Sequence, residues 1–143
     1  ISTDNQPDLV YTMDIDPNRN YSVWLHFAEI DPSVTAAGKR VFDILINGDA
    51  VFRDVDIVKM TGAINTALVL NTTVPVSGRG LTISLHPTKG NHAIINAIEI
   101  FEIVAAESKT LPDEGTEQNF LTFSHVFLAN VLFWGKAHLT HAH

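Results

Sequence analysis

The chain has no cysteine among its 143 residues. Disulfide frameworks, thiolate nucleophiles and cysteine-based zinc sites are excluded together. Positive charge is also scarce: 9 Lys and Arg stand against 16 Asp and Glu, a formal −7. No basic cluster exists that could neutralise a row of phosphates, so nucleic acid is not an expected partner. Missing too are Gly-x-Ser-x-Gly, a phosphate-cradling Gly-rich loop ending in Gly-Lys-Ser/Thr, and His-Glu-x-x-His. The remaining nucleophile candidates are scattered Ser and Thr, so no catalytic residue, cofactor or resident metal is assigned and no enzyme is expected. The first residues show no charged region leading into an apolar one, so no signal peptide lies in this piece. Starting at Ile1, it reads as a fragment of something longer.

What is present fits one folded domain. Hydrophobic residues make up 45% and charged residues 17%, enough apolar content for a core at this length. Residues 1–104 read as β throughout. LVYTM (9–13) alternates and runs into the turn formers DIDPNRN. YSVWLHFAEI (21–30) follows and is closed by Asp31-Pro32, where proline disfavours continuation. In RVFDILINGDAVFRDVDI (40–57), Asn47-Gly48 between two apolar runs is a strong hairpin signal, because both residues tolerate the positive φ of a type I′ turn. NTALVLNTTVPV (65–76) and LTISLH (81–86) are β-branched runs separated by SGRG. After the turn PTKGN comes HAIINAIEIFEIV (92–104), whose Ile content favours a strand although periodicity alone leaves a helix open. Six or seven strands at short intervals point to an all-β sandwich of jelly-roll type.

Residues 105–119 form a polar linker. The 120–143 stretch is an apolar tail outside the domain, and FLTFSHVFLANVLFW (120–134) carries no formal charge. Its length falls short of the roughly 20 residues of a spanning helix, so membrane contact there is left open, as is a truncated terminus.

Three constellations invite a chemical reading. His26 and Glu29 lie three apart in a strand, so they face opposite sides and cannot act on one substrate together; each is expected to be hydrogen-bonded for structural reasons. Asp54 and Asp56 share a face if the strand continues through both. With Asp49 they could offer calcium some oxygens, but not the six to eight a full shell needs, and a solvated strand edge is the plainer reading. His138, His141 and His143 cluster at the end without an acidic partner, which makes a poor zinc site. Two Asn-x-Ser/Thr triplets, Asn20-Tyr21-Ser22 and Asn71-Thr72-Thr73, fall at predicted turns or strand ends and are candidate glycosylation sites pointing toward the secretory pathway.

YSVWLHFAEID, then RVFDILINGDAVFRDVDI, then HAIINAIEIFEI, in that order, resemble the malectin-like domain of plants. The resemblance is greatest to leucine-rich-repeat receptor-like proteins and kinases, and it covers roughly residues 1–110. It implies a non-catalytic malectin-type β-sandwich on residues 1–104, incomplete at its N-terminus and the second of a tandem pair. It also implies an extracellular setting at the plasma membrane or cell wall, with the endoplasmic reticulum lumen as the alternative. Implied partners are a glycan or peptide ligand and an adjacent malectin module. In animal malectin an aromatic pair after the Phe-Ala-Glu strand stacks on glucose oligosaccharides; Asp31 and Pro32 stand there in this chain, and Asn91 stands where malectin has an acidic sugar contact. The ligand contacts the resemblance suggests are therefore Asp31, Lys89, Asn91 and His92. Two other readings stand beside it: a structural module that packs on a tandem neighbour and binds nothing itself, and a sandwich hydrolase, which needs two carboxylates facing one cleft. The tail GTEQNFLTFSHVFLANVLFWGKAHLTHAH departs from the family pattern.

Overall fold

The computed structural model describes residues 6–105, together with the backbone of 121–122 and 137–141. Its elements in chain order are β1 (Leu9–Asp14), β2 (Arg19–Ala28), β3 (Arg40–Ile46), β4 (Asp49–Val55), α1 (Ile57–Thr61), β5 (Ala67–Val76), β6 (Gly80–Gly90), β7 (Ala97–Ala105), β8 (Leu121–Thr122) and β9 (Ala137–His141). They form a five-stranded sheet in the order β4-β3-β6-β1-β9 and a four-stranded sheet in the order β5-β2-β7-β8. Every strand pairing is antiparallel. Apart from the β3–β4 hairpin and the β7–β8 pair, successive strands cross from one sheet to the other, the wrapping expected of a jelly-roll-like sandwich.

Period-two alternation explains why the sheets meet. On β2, Tyr21, Val23, Leu25 and Phe27 are buried, while Ser22, Trp24, His26 and Ala28 are half-buried on the other side. Phe42, Ile44 and Ile46 of β3, Leu81, Ile83 and Leu85 of β6, and Ile98 and Ile100 of β7 complete the core. Each such side chain contributes about 1.5–3 kcal/mol on full burial. The Phe27 and Phe42 rings, one from each sheet, sit with centroids 5.7 Å apart. Among the described residues, every buried side-chain nitrogen and oxygen has a hydrogen-bond partner.

The Asn47-Gly48 hairpin forms with φ of 48° and 85°, the positive pair a type I′ turn requires. Asn47 also donates its N–H to Thr82 O at 2.8 Å and accepts the Thr82 N–H on Oδ1 at 2.8 Å. The corner of β3 is thereby fixed on β6.

Several boundaries differ from the sequence-based expectation. The run through Ile57 is not one strand. β4 ends at Val55, and Asp56 caps α1 by accepting the Lys59 N–H at 3.1 Å. A side-chain oxygen that satisfies an otherwise orphaned helical donor makes a short helix the better local solution. β6 does not stop at His86 but runs on to Gly90; Pro87 lies at a register shift against β3, where its missing donor is tolerated. β7 begins at Ala97, not near His92. Residues 92–96 are held out of a strand because Asn96 bridges to β2, donating its N–H to His26 O and accepting the Ala28 N–H on Oδ1.

Candidate functional site

The end of the sandwich where the 29–39 loop meets residues 91–96 is organised around Arg40. This residue opens β3 in phase with Phe42, Ile44 and Ile46, so its side chain is carried inward, and only 2% of it is exposed. A buried guanidinium must be paired on several sides. Its Nε donates to Glu29 Oε2 at 2.7 Å, and its Nη2 donates to Asp31 Oδ2 at 3.2 Å and to Glu29 Oε1 at 3.5 Å. Its Nη1 donates to the His92 carbonyl. Glu29, with 1% of its side chain exposed, also accepts the Asp31 N–H on Oε1 at 3.1 Å. One cation thus ties the residues that follow β2 to the start of β3 and to the loop before β7.

Asp31 is held from its other side. Its Oδ1 accepts the Ser33 N–H at 2.9 Å and the Ser33 hydroxyl at 2.7 Å. Those hydrogen bonds first, and then the Arg40 charge, hold its carboxyl below the usual carboxylate range. Asp56 is 4% exposed and reaches across from α1 to accept the Gly38 N–H at 2.6 Å. The Asn91 N–H donates to Lys39 O at 2.9 Å. Gly90, at φ 77°, lies so close to Lys39 that a Cβ there would fall 2.0 Å from the Lys39 carbonyl oxygen.

The four residues read as ligand contacts therefore lie at one end of the molecule but in different situations. Asp31 reaches Arg40 through its carboxylate, and His92 through its backbone carbonyl. Asn91 is tied by its main chain, so the side chains of Asn91 and His92 stay exposed. Lys89 pairs with Val41 in the β3–β6 register and is also exposed, and a methyl on Gly38 would meet its Nζ at 3.5 Å. Beside this group the Asn65 N–H donates to Glu29 O at 2.8 Å, which sets the neighbouring Ile30 and Ile64 on the surface, 67% and 38% exposed.

Arg40 escaped the sequence reading. A signal was available: Arg40 is in phase with three apolar residues of β3, and Glu29 continues the inward phase of Leu25 and Phe27. Opposite charges in the inward phase of consecutive strands require each other.

The other candidates separate. His26 and Glu29 do face opposite sides, and His26 Nε2 lies 2.8 Å from Glu99 Oε2 on the outer face of the four-stranded sheet. Asp54 and Asp56 do not share a face. Asp54 sits at a register irregularity with φ 52°, its N–H donating to Asp43 Oδ1, and is exposed, whereas Asp56 is buried as the helix cap. The calcium reading loses its paired ligands, and the solvated-edge reading fails for Asp56. The side chains of His138 and His141, all of His143, and residues 106–120 and 123–136 of the linker and apolar tail lie outside the described residues; backbone 121–122 pairs with β7 and backbone 137–141 with β1. Among the described residues, no helix is long and apolar enough to cross a membrane.

Comparison with known proteins places this geometry in a family. The family model for the malectin-like domain matches residues 1–103. Receptor-like protein 4 of Arabidopsis thaliana is 68% identical over 114 residues, 80% of this chain and 18% of that protein. The receptor-like protein kinase FERONIA of the same plant is 29% identical over 105 residues, 67% of this chain and 12% of the kinase. In the crystal structure of the plant peptide RALF23 in complex with FER and LLG2, the matching chain has TM-score 0.63 and 28% identity, covering 66% of this chain and 27% of that one. The ANX2 ectodomain from Arabidopsis thaliana shares the fold at TM-score 0.63 and 22% identity, over 68% of this chain and 29% of its own. The chain spans less than a fifth of the length of these two curated relatives. With a malectin-like sandwich, two antiparallel sheets and a family match over most of its length, the chain belongs to the malectin-like domain family.

Proposed function

We propose that the chain is a non-catalytic, extracellular recognition module of a receptor-like protein, and that the loops gathered on Arg40 hold its ligand. Lys89, Asn91 and His92 supply polar contacts, Ile30 and Ile64 supply apolar ones, and Asp31 holds the loop between them. The observation that carries this is the contrast within the site: a buried ion network fixes the loops, while the side chains beside it face solvent. Such preorganisation lowers the ordering cost of binding. The exposed groups are aliphatic, basic and amide, with no aromatic platform among them, which suits a peptide or protein segment better than a sugar ring. The RALF23 complex of a structural neighbour supports the peptide reading.

Calorimetric titration of the secreted chain with RALF23 peptide, neutral glucose oligosaccharides and uronic-acid oligosaccharides tests it. Saturable peptide binding, weakened about tenfold or more by Ile30→Asp or by Lys89→Ala with His92→Ala, is expected. Saturation by an oligosaccharide alone would move the ligand class to glycan. Saturation by none of the three would overturn the ligand-binding reading. The second reading, a module that packs on a tandem malectin neighbour, is favoured by the same exposed Ile30 and Ile64. It predicts that both become protected in hydroxyl-radical footprinting when the neighbouring module is joined to the chain.

A further inference from the structure

The outer face of the four-stranded sheet carries both glycosylation triplets, and only one of them stands opposite an aromatic ring. In β5, Ala67, Val69, Asn71, Thr73 and Pro75 are exposed and alternate with half-buried Leu68, Leu70, Thr72 and Val74. Asn71 and the hydroxyl-bearing Thr73 of its triplet are therefore on the same solvent side, as a two-residue repeat dictates. Asn71 is the direct register partner of Trp24 on β2, and directly opposed residues have their Cβ atoms about 5 Å apart. The indole is oriented: its Nε1 donates to Ser22 Oγ at 2.8 Å. The neighbouring polar side chains are paired with one another, His26 with Glu99 at 2.8 Å. What Asn71 meets across the strand gap is an apolar ring with its donor already used.

Asn20 differs. It is exposed, but its register partners are Pro75 and Ile103, and the hydroxyl of its triplet, Ser22 Oγ, receives the indole N–H.

We propose that Asn71 carries an N-linked glycan whose first N-acetylglucosamine lies across the Trp24 indole. The pyranose C–H face is weakly electropositive and the indole face is the negative pole of its quadrupole, so the two attract as well as bury apolar area. The covalent link supplies the sugar at high effective concentration, and a weak contact becomes a standing one. The glycan then acts as a structural cover for this face, which includes Val69, 43% exposed. The inference rests on the chain entering the secretory pathway.

The test directs the full chain into the endoplasmic reticulum of cultured plant cells with an added leader, so that the outcome does not depend on the native route. Trp24 and Trp134 are the two tryptophans, and a Trp134→Phe background makes Trp24 the sole indole emitter. Peptide mapping by mass spectrometry should find Asn71 occupied. The glycan is trimmed to a single N-acetylglucosamine and compared with Asn71→Gln. The sugar should lower acrylamide quenching of Trp24 by about twofold and raise Tm by roughly 4 °C. Trp24→Leu should abolish the Tm gain without changing occupancy. Removing Asn20 (Asn20→Gln) should alter neither reading. An unoccupied Asn71 overturns the proposal, as does equal quenching with and without the sugar. Trp24 already shielded in the Asn71→Gln chain overturns it too, because some other segment then covers the face. Mapping the protein from plant tissue separately decides the extracellular reading: an unoccupied Asn71 there, with an occupied one in the leader-directed chain, would count against that reading alone.

Discussion

Both ends of the sandwich are closed by an arginine–glutamate pair, and the two pairs differ in what they hold. Arg40 and Glu29 are 2% and 1% exposed, and they connect the five-stranded sheet to the residues following β2 of the four-stranded one. Arg19 and Glu102 sit on the neighbouring strands β2 and β7 within one sheet, with side chains 48% and 5% exposed. The first pair is removed from water and needs every partner it has. The second has a buried carboxylate but a half-exposed guanidinium, and solvent at the arginine screens the pair and lowers its worth. Burial of both partners sets the Arg40 end apart, and that end is the one that presents the candidate ligand loops.

The largest effect should come from breaking the buried pair on one side only. Arg40→Ala leaves Glu29 and Asp31 without their common cation, and loss of one member of a buried pair costs about 3–5 kcal/mol. Urea denaturation of the secreted chain measures it, and a loss below about 1 kcal/mol would mean that Glu29 finds other solvation. The double variant Arg40→Met, Glu29→Leu should recover most of the loss, since a well-packed apolar pair is often as stable as the ion pair it replaces. The recovered variant should still lose the peptide binding proposed above, because Asp31 and the His92 carbonyl are no longer held.

Gly90→Ala attacks the same end through the backbone. The positive φ alone costs about 1–3 kcal/mol for a residue with a Cβ, and the methyl would collide with the Lys39 main chain. Gly48→Ala is the matched control: its φ is 85°, but a methyl there meets nothing within 4 Å. Thermal unfolding should rank Gly90→Ala clearly below Gly48→Ala; equal Tm values would show that the 38–40 segment moves aside at little cost.

A pH titration separates the Asp31 contribution. Because its folded carboxyl is held below its unfolded value, its stabilisation is present above the ordinary Asp pKa near about 4 and is lost as pH falls through the folded value. Wild type should therefore exceed Asp31→Asn in stability at neutral pH, and the gap should close on acidification below about pH 4. A gap that stays constant down to the acid transition would place the Asp31 contribution in shape rather than charge.

How much of this could be read beforehand follows from the range of the forces. The alternation of Tyr21, Val23, Leu25 and Phe27 is local and named its strand, and Asn47-Gly48 named its hairpin. The opposite facing of His26 and Glu29 followed from the same period. Asp56 was misread because a helix cap depends on the next three residues folding back, which an apolar run does not display. The irregular 92–96 segment depends on Asn96 reaching β2, a contact across 68 residues. Arg40 depends on Asp31 and His92, brought to it from opposite directions along the chain. The candidate ligand positions came only from the resemblance; that Asp31 and the His92 carbonyl meet on one buried cation is a property of the closed loops.

The smallest effect belongs to the pair whose arginine is half-exposed, and it is better read in a titration than in a melting curve. Tyr21 donates its hydroxyl to Asp16 O at 2.6 Å. Burial first, then the Glu102 and Asp16 carboxylates, push its phenol above the ordinary tyrosine range, while Arg19 pulls it back down. A raised tyrosine pKa means stability that is intact below the unfolded value, near about 10, and is lost as pH rises through the folded one. Arg19→Gln removes the opposing charge, so ultraviolet titration should find Tyr21 ionising at still higher pH, with a change in Tm much smaller than that of Arg40→Ala. A shift to lower pH would show that Glu102 no longer faces Tyr21 once Arg19 is gone. A melting loss equal to that of Arg40→Ala would erase the distinction between the two ends, because it would show that a half-exposed guanidinium is as indispensable as a buried one.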